Sequence, residues 1–162
     1  MTTRRIARRQ AWSRSGVCLL LAFWLLAAAP TPAPAPWGPL NDWVGKYPTD
    51  DTARPSRKLL QIPAIRNELR SLLAPADLTR LAGLAVEQPL EMIDGLLIAA
   101  QCMPHDCGNQ NALIVMDPKQ RRMWVGFFSR SSSVVSTRWF GSTNHLDLPA
   151  AILGKFNSQH QP

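Results

Sequence analysis

The chain has 162 residues and a formal net charge of +7. Five of its basic residues, Arg4, Arg5, Arg8, Arg9 and Arg14, lie in the first sixteen positions with no acid among them. Without them thirteen basic residues face eleven acidic ones, so the remainder is near +2 and makes no case for nucleic acid or a polybasic membrane contact.

Val17 to Ala29 is an unbroken apolar run that ends in Ala27-Ala28-Ala29. A basic start, a short apolar run and small residues make residues 1–29 a secretory signal. As a helix this run spans about 20 Å, short of the roughly 30 Å of a bilayer core, so no stable membrane span is expected after cleavage. An uncleaved anchor is the alternative. Loss of the signal removes Cys18 and leaves Cys102 and Cys107; a pair in an exported chain favours a disulfide over free thiols.

Pro30 to Pro36 reads Pro-Thr-Pro-Ala-Pro-Ala-Pro, an extended low-complexity spacer. Residues 37–162 are then one domain by length. Trp43 and Tyr47-Pro48 are expected to pin the irregular segment from Trp37 to Arg57 onto the domain surface. Ile62, Ile65, Leu69, Leu72 and Leu73 make one apolar helical face, with Pro63 in the first turn. A second short helix is expected from Asp77 to Leu84.

From Val86 the period changes. Two apolar runs, Pro89 to Ile93 and Leu96 to Gln101, flank Asp94-Gly95 and predict a hairpin. Further strands are expected at Ala112 to Met116, Met123 to Phe128 and Ser133 to Phe140, with a turn at Asp117 to Arg121 and a loop at Ser131-Ser132-Ser133. Trp124, Trp139, Phe127 and Phe128 read as core packing and Arg121-Arg122 as a solvated pair. Asp147 is expected to cap a last helix, Leu148 to Leu153, with Gly154 at its end. The expected fold is α+β: an antiparallel sheet of about five strands with helices packed on one face.

The chemistry concentrates in Cys102-Met103-Pro104-His105-Asp106-Cys107-Gly108, between two expected strands. A bond between the cysteines would close a small ring around His105, with Pro104 fixing its own φ and Gly108 permitting a sharp exit. Chain-entropy reasoning gives such a crosslink roughly 2 kcal/mol, so its effect is mainly local stiffness. Zinc is the competing use of Cys102, His105 and Cys107, with His145 as a fourth ligand, but exported thiols oxidise. No metal and no cofactor is expected. No Gly-x-Ser-x-Gly, His-Glu-x-x-His or glycine-rich phosphate loop occurs, so an enzyme is not expected. His145 and His160 read as incidental.

Cys-x-Pro-His-Asp-Cys-Gly resembles the signature loop of the inhibitors of vertebrate lysozyme, the Ivy family of bacterial exported proteins. The resemblance extends in outline from about Trp43 to Leu153. It implies a Cys102–Cys107 disulfide, a periplasmic location, and insertion of the loop into the active-site cleft of c-type lysozyme, where His105 contacts the catalytic carboxylates. It also implies a possible homodimer. Met103 departs from the pattern, because well-known members have lysine there; the loop loses a positive charge that would face two acids. Asp106 either fixes the tautomer of His105 or bonds loop amides as a turn residue, and the second role needs no partner. An acidic patch of Glu87, Glu91, Asp94 and Asp106 would offset adverse steering toward a basic lysozyme. The alternative is a periplasmic domain that binds the cell's own peptidoglycan hydrolases, lytic transglycosylases among them.

Overall fold

The computed structural model describes residues 37–49 and 58–159. The signal-like residues 1–29, the spacer Pro30–Pro36 and His160 lie outside the described residues. After 3-10 turns at Leu40–Trp43 and Leu59–Gln61 come two helices, α1 (Pro63–Leu72) and α2 (Pro75–Gly83). Both open with proline in the first turn, where a missing N–H costs nothing. Six strands follow: β1 (Val86–Glu87), β2 (Glu91–Ile93), β3 (Leu96–Cys102), β4 (Gln110–Asp117), β5 (Arg122–Ser131) and β6 (Val134–Gly141). A 3-10 turn at His145–Asp147 leads to the last helix, α3 (Ala150–Ser158).

All strand pairs are antiparallel, in the order β1-β3-β4-β5-β6, with β2 also on β3. Asp94 and Gly95 both take positive φ, 52° and 80°, as a tight two-residue hairpin turn between β2 and β3 requires. The first arm of that hairpin is broken. Pro89 cannot donate to a ladder, so β1 and β2 are two short pieces on one edge. In the gap Leu90 exchanges backbone hydrogen bonds with the N-terminal segment, accepting from Gly45 N–H at 2.8 Å and donating to the Lys46 carbonyl at 2.8 Å. Trp37 and Leu40 are buried and anchor that segment; Trp43 packs against the core, whereas Tyr47 is exposed.

The class is the expected one, α+β on an antiparallel sheet, but helices lie on both faces. Leu97, Ala99, Ile114, Val125 and Phe127 pack with α1 and α2 through Ile65, Leu69 and Leu81. Ile98, Ala100, Leu113, Val115, Trp124 and Phe128 pack with α3 through Ile152 and Phe156. A strand with one wet face alternates apolar and polar residues. The continuous runs of β3, β4 and β5 belong to strands covered twice, and their composition carried that signal. The helix α3 also runs longer than expected. Pro149 sets its start, Asp147 sits in the preceding 3-10 turn, and Gly154 lies mid-helix because burying Phe156 requires another turn.

On the α3 face two glycines make room for two tryptophans. Gly126 pairs with Trp139 across β5 and β6, and Gly141 pairs with Trp124. A Cβ on Gly126 would lie 2.8 Å from the Trp139 ring, and one on Gly141 would run into Trp124. Trp139 is thereby free to pack edge-on against Phe156, with ring centroids 4.7 Å apart. Gly126→Ala should push the indole toward α3 and cost about 1–3 kcal/mol, as overpacking does. Denaturant unfolding of the variant measures this; parental stability would show that Trp139 yields without strain.

Candidate functional site

The β3–β4 ladder ends at the pair Cys102↔Asn111, and the motif forms the connection above it. Cys102 and Cys107 are joined by a disulfide, with Cα atoms 4.8 Å apart. Met103 N–H extends the ladder by donating to the Gln110 carbonyl at 2.9 Å. Asp106 N–H then donates back to the Met103 carbonyl at 3.0 Å, closing a four-residue turn with Pro104 and His105 at its corners. Proline followed by a residue at positive φ is the type II pattern. His105 takes that second corner at φ 62°. A left-handed backbone outside glycine costs on the order of 1–2 kcal/mol and persists only where its surroundings impose it.

The imposition comes from a clamp on the far side of the turn. The Asp106 carbonyl accepts from Asn109 and Gln110 N–H groups at 3.0 and 2.9 Å. Its carboxylate accepts the Asn109 side-chain amide at 2.8 Å and the Gln110 side-chain amide at 2.9 Å. Asn111 reaches the Cys107 carbonyl at 3.1 Å, and Arg130 N–H on β5 reaches the Asn109 carbonyl at 2.8 Å. The hydrogen bonds from Asn109 first, and Gln110 second, hold the Asp106 carboxyl below its ordinary value of 3.8. Asp106 therefore takes the loop-bonding role, through side-chain amides, and leaves the imidazole alone.

Pro104, His105, Cys107 and Gly108 are exposed, while Cys102 is buried at the root. The exposed imidazole makes no hydrogen bond among the described residues, so its nitrogens are left for a partner. Met103 points the other way. It packs against the α1–α2 core, its methyl 3.9 Å from where a Cβ on Gly83 would sit. Gly108 is not at positive φ; the sharp corner falls on His105 instead.

Other expected residues do not gather here. Glu87 bonds Thr49 and Gln101, Glu91 pairs with Lys155 at 3.0 Å, and Asp94 sits at the opposite end of β3, so the four acids form no single patch. His145 is no ligand beside the cysteines, nor is it incidental: it stacks flat on Trp139, centroids 5.1 Å apart and planes 4° from parallel. Among the described residues no three His, Cys, Asp or Glu side chains are grouped to hold a metal ion. No described helix is long and apolar enough to cross a membrane. Arg122 is half-buried rather than solvated, paired with Asp117 at 3.5 Å and lying over Trp124. Asn109, Gln110 and Asn111 are the clamp residues that motif reading passed over; their signal was an unbroken run of amide side chains straight after the ring.

A family model described as inhibitor of vertebrate lysozyme (Ivy) matches residues 64–161. That span starts within α1 and takes in the whole sheet, the disulfide loop and α3. Comparison with curated proteins and with solved structures finds no match.

The clamp has a definite acid dependence. A carboxylate whose pKa is lowered on folding contributes stability that is complete above its unfolded value and is lost as pH falls through the lower folded value. The side-chain amide resonances of Asn109 and Gln110 should therefore stay constant from neutral pH down to the ordinary aspartate value of 3.8, and shift only below it. In Asp106→Asn that acid transition should vanish. A transition centred above 3.8 would contradict the clamp.

Proposed function

The chain belongs to the inhibitor of vertebrate lysozyme family, and from that premise we propose that it is an exported inhibitor whose Cys102–Cys107 loop enters the active-site cleft of c-type lysozyme. The observation that carries the reading is His105: an exposed imidazole, held at the loop apex in a strained backbone, with neither nitrogen committed to the protein. The disulfide and the Asp106 clamp brace it, so little freedom is lost on docking.

The chemistry fits such a cleft. Glycoside hydrolysis of this kind uses two carboxyl groups flanking the scissile bond, one protonated and one ionised. A neutral imidazole donates to the ionised group from one nitrogen and accepts from the protonated group at the other. If the ring is protonated, the same position becomes a charge-assisted contact. Amide donors occupy both Asp106 oxygens, so that carboxylate is committed to bracing the loop and does not compete for the imidazole. Met103 brings no cation to the loop, so the imidazole carries the recognition of the acids.

Export follows the same reading. Residues 1–29 are removed as a signal, the Pro30–Pro36 stretch is a spacer, and residues 37–162 act in the periplasm as the inhibitor domain. A disulfide at the loop suits that oxidising compartment.

The experiment is inhibition of c-type lysozyme by oxidised mature protein, beside His105→Ala. The variant should melt like the parent and lose about 2–4 kcal/mol of binding, the range of a central hot spot. Parental inhibition by His105→Ala would rule out the loop as the inhibitory element. A folded, oxidised parent without effect on lysozyme would direct the search to the cell's own peptidoglycan hydrolases.

A further inference from the structure

A loop this small cannot be the whole of a stable interface. A standard interface buries about 800 Å² per partner and engages roughly 20–30 residues on each side. Only Pro104, His105 and Cys107 of the ring, and Gly108 just after it, are exposed. The rest of the contact must come from surface at the same end of the sheet.

The β5–β6 hairpin turns at that end. Gln110 pairs with Ser129, so the last residues of β5 run past the start of β4, and the Arg130 N–H bond to Asn109 fastens the hairpin to the loop's root. The tip is Ser132-Ser133, with Ser132 at φ 53°. Val134 and Val135 follow it, 67% and 58% exposed, among the most exposed large apolar residues described. Neighbouring residues of a strand point to opposite faces. Both valines are open, as are Ser136, Thr137 and Arg138 after them, so the first half of the edge strand β6 is uncovered on both sides of the sheet. The tip stands two strand spacings from the loop, about 10 Å.

We propose that the β5–β6 tip, through Val134 and Val135, is a second contact element that seats on the apolar lip of the same glycoside hydrolase cleft the loop enters. This rests on the loop reading above. Two projections at one end of one sheet, the loop braced by its disulfide and the hairpin fastened to its root, suit the mouth and the wall of a cleft. The loop supplies the polar anchor, and the valines supply the apolar area it lacks. The tip from Ser131 to Val135 has no charged side chain to desolvate when it docks.

The test is the dissociation constant for c-type lysozyme of oxidised mature parent, V134A/V135A, V134T/V135T and H105A, with melting temperature and oligomeric state measured on each. The threonine pair keeps the shape and strand preference of valine and removes only its apolarity. Both double variants should melt as the parent and bind at least tenfold more weakly. Parental affinity in either double variant, with H105A weakened, overturns the tip and leaves the loop standing. Altered self-association with unchanged lysozyme affinity likewise overturns it, assigning the valines to a second copy of the chain. H105A binding as the parent overturns the loop reading and this one with it.

Discussion

Strands β3 and β4 are paired from Leu97↔Met116 to Cys102↔Asn111 and buried on both faces. Every consequence at the loop depends on that. A ladder packed between α1–α2 on one side and α3 on the other cannot splay without opening two clusters at once. Its end is therefore a fixed base, and the connection above it has few conformations left. The left-handed backbone at His105 is stable there because both ends of the turn are already held: by the disulfide and the Met103 hydrogen bonds on one side, by the Asp106 clamp on the other. A flexible loop would relax the strain and lose the presentation of the imidazole.

The helices contribute to the same rigidity through polar contacts at the sheet's far strands. Arg80 on α2 donates to the Phe128 carbonyl at 2.8 Å, and Arg138 on β6 forms a forked pair with the mostly buried Asp77 at 3.1 and 3.2 Å. Burial, and then the nearby Arg138, lower the pKa of Arg80, while Asp77 opposes them. Met103 connects this layer to the loop by packing beside Gly83 at the end of α2. Met103 thus has a structural use, as a tether between loop root and helix.

Much of this was readable from residue order, for local reasons. Asp94-Gly95 named its turn because both positions need positive φ. The helix at Pro63 announced itself by period and proline. The ring of Cys102 to Cys107 stood out because few other segments concentrate such residue types. What escaped depends on tertiary placement. Two-sided burial was legible only by asking why β3 to β5 never alternate. The Asp106 clamp needs Asn109 and Gln110 to fold back over a turn whose corner is His105, and no spacing rule encodes that. His145 found Trp139 through the register of β6, and Trp139 found its space through Gly126. The end of α3 was misplaced because a glycine reads as a stop, yet burial of Phe156 outweighs its modest helix penalty.

In the proposed mechanism His105 and its ring occupy the catalytic cleft, not merely the surface, of the target. The most direct test is competition. Binding of the oxidised mature protein to c-type lysozyme is measured while an N-acetylglucosamine oligosaccharide fills the cleft. Mutual exclusion is expected: the apparent dissociation constant rises in proportion to oligosaccharide once the cleft is saturated. Unchanged affinity with a filled cleft, or a stable ternary complex, would place the inhibitor elsewhere on the enzyme and rule out cleft insertion.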